Sequence, residues 1–180
     1  MAMYDLPTEL CGLRIRSDYR AILDIIKALD DDELSEQEKA MVTIQILYED
    51  WSKIEDLQEA LTQAFDFINL GKSITESKPR LMDWQQDFPI IVTSVNRVLG
   101  TEIRSLEHLH WWTFIGAYYE IGESAFSSVV GIRKKKAQGK QLEKYEQEYY
   151  FENREMIDLP VKYSEEEKEE IRRYRELLSL

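Results

Sequence analysis

The chain has 180 residues, of which 43% are hydrophobic and 32% are charged, a composition typical of a folded globular domain. Its formal net charge of −12 disfavours nucleic-acid binding, and its single cysteine, Cys11, cannot form an intramolecular disulfide. Because the sequence shows neither a signal peptide nor an apolar run near the roughly 20 residues of a membrane span, we expect a soluble protein of a reducing cytoplasm.

The N-terminal part of the chain leads into a first helix. Residues 1–16 end in alternating apolar and polar side chains, which indicates an extended entry segment with one short strand. Ser17 or Asp18 is placed to cap a helix in which apolar residues recur at helical spacing up to Leu29. Three consecutive aspartates, Asp30-Asp31-Asp32, are expected to end this helix.

Two capping boxes predict the starts of the next two helices. In a capping box, an N-terminal serine and a glutamate three residues later each bind the other's backbone amide. Ser35 with Glu38 predicts a second helix that runs to about Glu49. Ser52 with Glu55 repeats the pattern and predicts a third helix.

A loop separates the third and fourth predicted helices. Gly71 is placed to cap the third helix, and residues 72–80 have the composition of a surface connection. The fourth helix is expected to run from about Asp83 or Asp87 to Leu99. Its start could lie on either side of Pro89, because proline is tolerated only in the first helical turn.

The middle of the chain predicts a central helix and a helix with a basic end. Gly100 closes the fourth helix, and Ser105 is placed to cap a fifth helix that is apolar around its whole circumference and should lie at the centre. Gly122 ends it. Ser124 then begins a sixth helix that runs into Arg133-Lys134-Lys135-Lys136.

The C-terminal part predicts two further helices. A tyrosine-rich helix spans about 141–154, and a third capping box at Ser164 begins a last helix with a thin apolar face, suited to project and pack on a partner. The predicted fold class is therefore all-α: a compact multi-helix domain of seven or eight helices. We divide the chain into an extended segment 1–16, a helical domain 17–160 and a C-terminal helix 161–180.

No pattern in the sequence predicts catalysis or metal binding. His108 and His110 stand two residues apart, and on a helix such residues point to different faces and cannot hold one ion. Cys11 lacks a motif that would make it a nucleophile. The chain has no phosphate-binding glycine loop, nucleophile elbow or zinc-protease motif. We therefore expect a protein that is not an enzyme and needs no cofactor or metal.

Two features are candidates for protein binding. Adjacent tryptophans diverge by about 100° on a helix, so one can pack in the core while the other faces outward. The basic run that follows the sixth helix is either a solvated helix end or a docking patch for an acidic protein surface, including another copy of this chain. The candidate partner-binding residues are His110, Trp111, Trp112, Arg133, Lys134, Lys135 and Lys136.

Three blocks of the sequence resemble a phage protein family. They are Asp83-Trp84-Gln85-Gln86-Asp87-Phe88-Pro89, Leu106-Glu107-His108-Leu109-His110-Trp111-Trp112-Thr113-Phe114 and Ile132-Arg133-Lys134-Lys135-Lys136. The family is the one named after gene product fifteen of a Listeria siphophage. The resemblance covers about residues 13–160, and the histidine-tryptophan-tryptophan block is its most specific part.

The resemblance implies a role in building the phage tail. Genes of this family lie between those for the major tail protein and the tape measure protein, where tail assembly chaperones are encoded. It therefore implies a chaperone in the host bacterial cytoplasm that binds the tape measure protein, with the tail tube protein and a second copy of the chain as further partners. The alternatives are a virion protein at the head–tail joint or tail tip, and a small acidic regulatory or inhibitor protein that imitates nucleic acid. The mixing of Lys and Arg with Asp and Glu along most helices argues against mimicry.

Overall fold

The computed structural model describes residues 5–71, 79–160 and 165–178. It confirms the all-α fold class, since nine α-helices, two 3-10 turns and one short hairpin make up the regular structure of these ranges. The elements are β1 Glu9–Leu10, β2 Leu13–Arg14, α1 Tyr19–Leu29, α2 Glu36–Leu47, α3 Leu57–Ile68, α4 Trp84–Leu99, α5 Trp111–Tyr119, α6 Ala125–Ala137, α7 Lys144–Glu152, α8 Arg154–Ile157 and α9 Glu165–Leu178. The predictions for residues 1–4, for most of the loop 72–80 and for the Ser164 cap lie outside the described residues.

The entry segment forms a hairpin of two short strands, where the sequence predicted one. Strand β1 pairs antiparallel with β2, and Cys11 and Gly12 form the turn between them with φ values of 51° and 71°. Two consecutive residues with positive φ match the twist of a tight two-residue hairpin, and glycine adopts this conformation without strain. Gln63 of α3 accepts the backbone N–H of Cys11 at 3.0 Å and ties the turn to the helical body.

The first two helices begin where their caps were predicted. Asp18 caps α1 by accepting the N–H of Arg20 at 3.0 Å, and its other oxygen accepts the N–H of Leu109 at 2.8 Å. Ser35 and Glu38 form the predicted capping box at the start of α2. The side chain of Asp18 thus both starts α1 and attaches it to the segment before α5.

The predicted start of the third helix is wrong. Residues Trp51–Lys53 form a single 3-10 turn, and α3 begins only at Leu57. Asp56 accounts for the difference, because its carboxylate accepts the N–H groups of Gln58 and Glu59 at 2.9 and 3.0 Å. The carboxylate binds two free amides, and its negative charge is stabilised at the positive end of the helix dipole.

Helix α4 begins at the earlier of its two predicted positions and carries Pro89 in its second turn. Asp83 is the cap and accepts the N–H of Gln86 at 2.7 Å. The expectation that Pro89 lies in the first turn is therefore wrong. Asp87, in the turn before the proline, accepts the N–H of Asp83 at 2.9 Å and holds the start of the helix in place. Gly100 ends α4 in the left-handed conformation, as predicted.

The fifth helix is central but starts later than predicted. The hydroxyl of Ser105 donates to the carbonyl of Glu102 within a 3-10 turn, so it does not cap α5. The chain then runs extended to His110, which is the actual cap. Trp111 and Phe114 are 2% and 0% exposed, which agrees with the central position expected from the apolar sequence.

The last part of the domain wraps against α4 and α6. Ser124 caps α6 as predicted. The single predicted helix 141–154 is instead α7 followed by the short α8, with a break at Asn153. A small second core of Val129, Ile132 and Ile157 joins α6 to α8. The main core lies among α1 to α5.

Several arginines bind backbone carbonyls inside the fold. Arg16 donates to carbonyls at the end of α2, Arg20 to carbonyls in the segment before α5, and Arg97 to carbonyls after α5. Arg16 thereby binds carbonyl groups that the end of α2 leaves without helical partners, and Arg20 and Arg97 bind carbonyls of the segments on either side of α5. None of the described helices has both the length and the apolar character that a membrane span requires.

Candidate partner-binding surfaces

His110 is a buried cap rather than a surface group. Its Nδ1 accepts the N–H of Trp112 at 3.0 Å, and its Nε2 lies 2.9 Å from the carbonyl oxygen of Pro7. The first bond requires an unprotonated Nδ1. The ring is therefore neutral with its proton on Nε2, which donates to the carbonyl of Pro7. Burial lowers the pKa of His110 below its ordinary value of 6.5, which favours the same neutral form.

His108 and His110 lie in an extended segment, so the helical argument used to separate them was wrong. Their ring centroids are 6.4 Å apart. His108 is exposed and contacts the hydroxyl of Ser17 at 3.3 Å. Over residues 5–71, 79–160 and 165–178, no three His, Cys, Asp or Glu side chains are grouped so that they could hold a metal ion.

The two tryptophans anchor α5 to the end of α3. Trp111 is buried and donates its indole N–H to the carbonyl of Ile68 at 2.9 Å. Trp112 is half-buried, donates to the carbonyl of Phe67 at 2.9 Å and stacks on the Phe67 ring. Of the predicted block His110, Trp111 and Trp112, only Trp112 therefore reaches the surface.

Arg133 lies inside the protein, although the sequence placed it in a basic patch. Its side chain is 4% exposed, and its guanidinium binds both oxygens of the fully buried Asp87 at 2.6 and 2.9 Å. Its remaining N–H groups donate to the carbonyls of Leu81, Met156 and Ile157. Arg133 thereby joins α4, α6 and α8.

The rest of the basic run is mostly paired within the chain. Lys135 binds both oxygens of Glu146 at 2.7 Å, and Lys136 binds Asp158 at 2.6 Å. Lys134 is exposed and forms no ion pair with any carboxylate of the described residues. The run is thus a helix end with specific internal contacts, and Lys134 is its member most open to an external partner.

A groove next to Trp111 is an apolar opening that the sequence did not reveal. We call it the α1–α5 groove. It has a volume of about 470 Å³ and is lined by Ile26 and Leu29 of α1, Phe65 of α3, Trp84 of α4, and Ile115 and Tyr119 of α5. These residues are far apart in the sequence and meet only through helix packing, so no local pattern could have located the groove.

Carboxylates lie close to one side of the α1–α5 groove. Asp30 and Asp31 line the neighbouring pocket, which shares Ile26, Leu29 and Trp84 with the groove. Residues 30–66 hold 12 of the 35 acidic residues of the chain and only two of its 23 basic ones. An apolar groove beside an acidic stretch of surface favours a ligand whose apolar face is flanked by cations.

Comparison with known proteins identifies one family. The family model described as "Bacteriophage Gp15 protein" matches residues 5–159, most of the chain, including all three blocks that carry the resemblance and excluding α9. No curated protein and no solved structure gives a significant match.

Proposed function

Since the chain belongs to the bacteriophage Gp15 protein family, we propose that it is a non-enzymatic phage morphogenesis protein that acts as a tail assembly chaperone. In this proposal it works in the host bacterial cytoplasm, needs no cofactor and binds the tape measure protein while the tail tube assembles. The observation that carries the proposal is the α1–α5 groove, an apolar opening on an acidic helical protein.

The α1–α5 groove has the chemistry expected for binding an amphipathic helix. Apolar side chains from α1, α3, α4 and α5 form its floor, and the exposed ring of Tyr119, 61% accessible, stands at its edge. A helix that places residues i, i+3 and i+7 in such a groove buries its apolar stripe. A long helical tape measure protein offers stripes of this kind, which would otherwise be exposed to water and aggregate.

Surface charge supports the same proposal. Arg133 and several other cations are bound to groups inside the fold, so the solvent-facing surface carries an excess of carboxylates. A strongly charged surface keeps a complex with an apolar partner in solution. The carboxylates of the neighbouring pocket further favour stripes that are flanked by Lys or Arg.

Co-expression with the tape measure protein tests the proposal. The wild-type chain should increase the soluble fraction of the tape measure protein and co-purify with it. Tyr119→Glu places a charge at the edge of the groove and should reduce both effects, whereas Tyr145→Glu, at a 69% exposed tyrosine of α7 outside the groove, should not. If the wild-type chain neither binds the tape measure protein nor raises its solubility, the proposal fails.

Analysis of purified virions separates a chaperone from a structural protein. A chaperone leaves before the particle matures, so mass spectrometry of virions should not detect the chain. Stoichiometric recovery of the chain from virions would instead support a structural role at the head–tail joint or tail tip.

A further inference from the structure

Two polar groups of the residues that line the α1–α5 groove have no partner within the chain. Asn69, the residue after α3, lines the groove, and all its other lining residues are aliphatic or aromatic. The side-chain amide of Asn69 and the indole N–H of Trp84 form no hydrogen bond with any residue that the structure describes. Trp111 differs, because its indole N–H is donated to the carbonyl of Ile68 at 2.9 Å. One amide and one N–H donor thus remain for a ligand.

Both polar groups are open to solvent. Asn69 and Trp84 are half-buried residues. Over residues 5–71, 79–160 and 165–178, the one buried side-chain nitrogen or oxygen atom without a partner is Oε1 of Gln86. The amide of Asn69 and the N–H of Trp84 therefore bind water in the free protein. A ligand that fills the groove removes this water and must replace its hydrogen bonds, or binding is weakened.

The chemistry of the two groups restricts the side chain that can pair with them. The amide of Asn69 both donates and accepts, whereas the indole N–H of Trp84 only donates. A lysine or arginine of the ligand cannot accept the N–H of Trp84. A carboxylate can accept it, but would lie close to Asp30 and Asp31 of the neighbouring pocket. An Asn or Gln amide has two N–H groups and an oxygen with two lone pairs, so it supplies the complementary atoms without a charge.

From these observations we infer that the α1–α5 groove recognises an amphipathic helix whose apolar stripe is interrupted by one Asn or Gln. Asn69 is the specificity-determining residue, and Trp84 donates the further hydrogen bond. A single polar residue within an apolar contact fixes the register of paired helices, because other registers leave it unpaired. Resting on the proposed function, this recognition directs the chain to marked positions of the long tape measure protein.

Synthetic peptides test the recognition without the tape measure protein. The reference is a helical peptide of about six turns with a continuous leucine stripe flanked by lysines. A matched set replaces one leucine of the stripe at a time by Asn. Isothermal titration calorimetry with the full-length chain should find one Asn position that binds about tenfold more tightly than the all-Leu peptide. Tightest binding by the all-Leu peptide, or binding by none of the set, would overturn the inference.

The substitution Asn69→Leu separates recognition from simple apolar contact. The side chain of Asn69 holds no internal hydrogen bond and its φ of −90° suits any residue, so the variant should fold. Asn69→Leu should bind the all-Leu peptide more tightly than the Asn peptide, because the amide of the Asn peptide is then left unpaired. Gln58→Leu, at an exposed position of α3 outside the groove, is the matched control and should keep the wild-type preference. A preference for the Asn peptide that survives Asn69→Leu would overturn the inference.

Failure of the proposed function gives a different result from failure of this inference. If the Asn peptide binds as expected but the tape measure protein does not bind, the proposed function fails and the recognition by Asn69 stands. If the tape measure protein binds the wild type and Asn69→Leu equally well, the proposed function stands and Asn69 is not its specificity-determining residue.

Discussion

Replacement of Arg133 by methionine tests how much of the stability depends on the buried ion pair. Methionine keeps the length and apolar stem of arginine but removes all the N–H groups that bind Asp87 and three carbonyls. The Asp87 carboxylate, 0% exposed, would retain only the N–H of Asp83 among these contacts. Breaking a buried pair from one side leaves a buried charge without compensation.

The expected cost of Arg133→Met is about 3–5 kcal/mol in the free energy of unfolding. For a chain of this size, each kcal/mol lowers the melting temperature by about 2–4 °C, so the variant should melt at least about 6 °C below the wild type. Urea unfolding followed by circular dichroism gives the free energy, and thermal unfolding gives the midpoint. Lys134→Met is the matched control, because Lys134 is the exposed neighbour of Arg133. This substitution should lower the free energy of unfolding by less than about 0.5 kcal/mol.

A second substitution separates the effect of the uncompensated charge on stability from the effect of the carbonyls that lose their donor. Adding Asp87→Leu to Arg133→Met removes the uncompensated carboxylate, so the double variant should recover part of the lost stability. Full recovery is not expected, because the carbonyls of Leu81, Met156 and Ile157 still lack their donor. A loss below about 1 kcal/mol in the single variant, or no recovery in the double one, would refute this account of the interior.

Three further predictions concern caps and titrating groups. Because the pKa of His110 is lowered in the fold, its protonation opposes folding, and stability should fall as pH drops below 6.5. His110→Asn keeps an acceptor for the cap and should reduce this dependence of stability on pH, as measured by urea unfolding at several pH values. Burial raises the pKa of Asp158, but hydrogen bonds from Lys136, Arg154 and Tyr150 outweigh it and lower the pKa to about 2. The resulting stabilisation is complete above the ordinary pKa of 3.8 and is lost as pH falls towards 2. Asp158→Asn should therefore weaken the decrease of stability with pH between these two values. An unchanged decrease would contradict this prediction. Gly100→Ala should cost about 1 kcal/mol in unfolding experiments, since φ at this position is 69°.

Local signals predicted those parts of the fold that nearby residues decide. Asp18, Ser35, Ser124 and Gly100 act on amides or carbonyls within a few residues, and each begins or ends its helix as expected. The failures occur where two local signals compete. Asp56 replaces Ser52 as the cap of α3, and the cap of α5 lies five residues after Ser105, where the His110 ring also finds Pro7.

The candidate site was predicted less well, because a charge run does not reveal which charges meet across the fold. Arg133 is bound to Asp87, 46 residues earlier in the chain, and Lys135 and Lys136 pair with Glu146 and Asp158. These pairs place cations expected at the surface inside or against the protein. Whether the surface that remains binds a partner stays a prediction.

The amino-acid sequence determined the all-α class, the starts of α1, α2, α4 and α6, the resemblance to a phage family and the central position of the tryptophan-rich helix. The helix starts could be predicted because spacing and capping act over one or two helical turns. Only the tertiary structure decided that Arg133 is buried, that Trp111 is core while Trp112 reaches the surface, and that Leu29, Trp84 and Tyr119 line one groove. These outcomes depend on contacts between helices distant in the chain, and the energy of such contacts is not encoded in any local pattern.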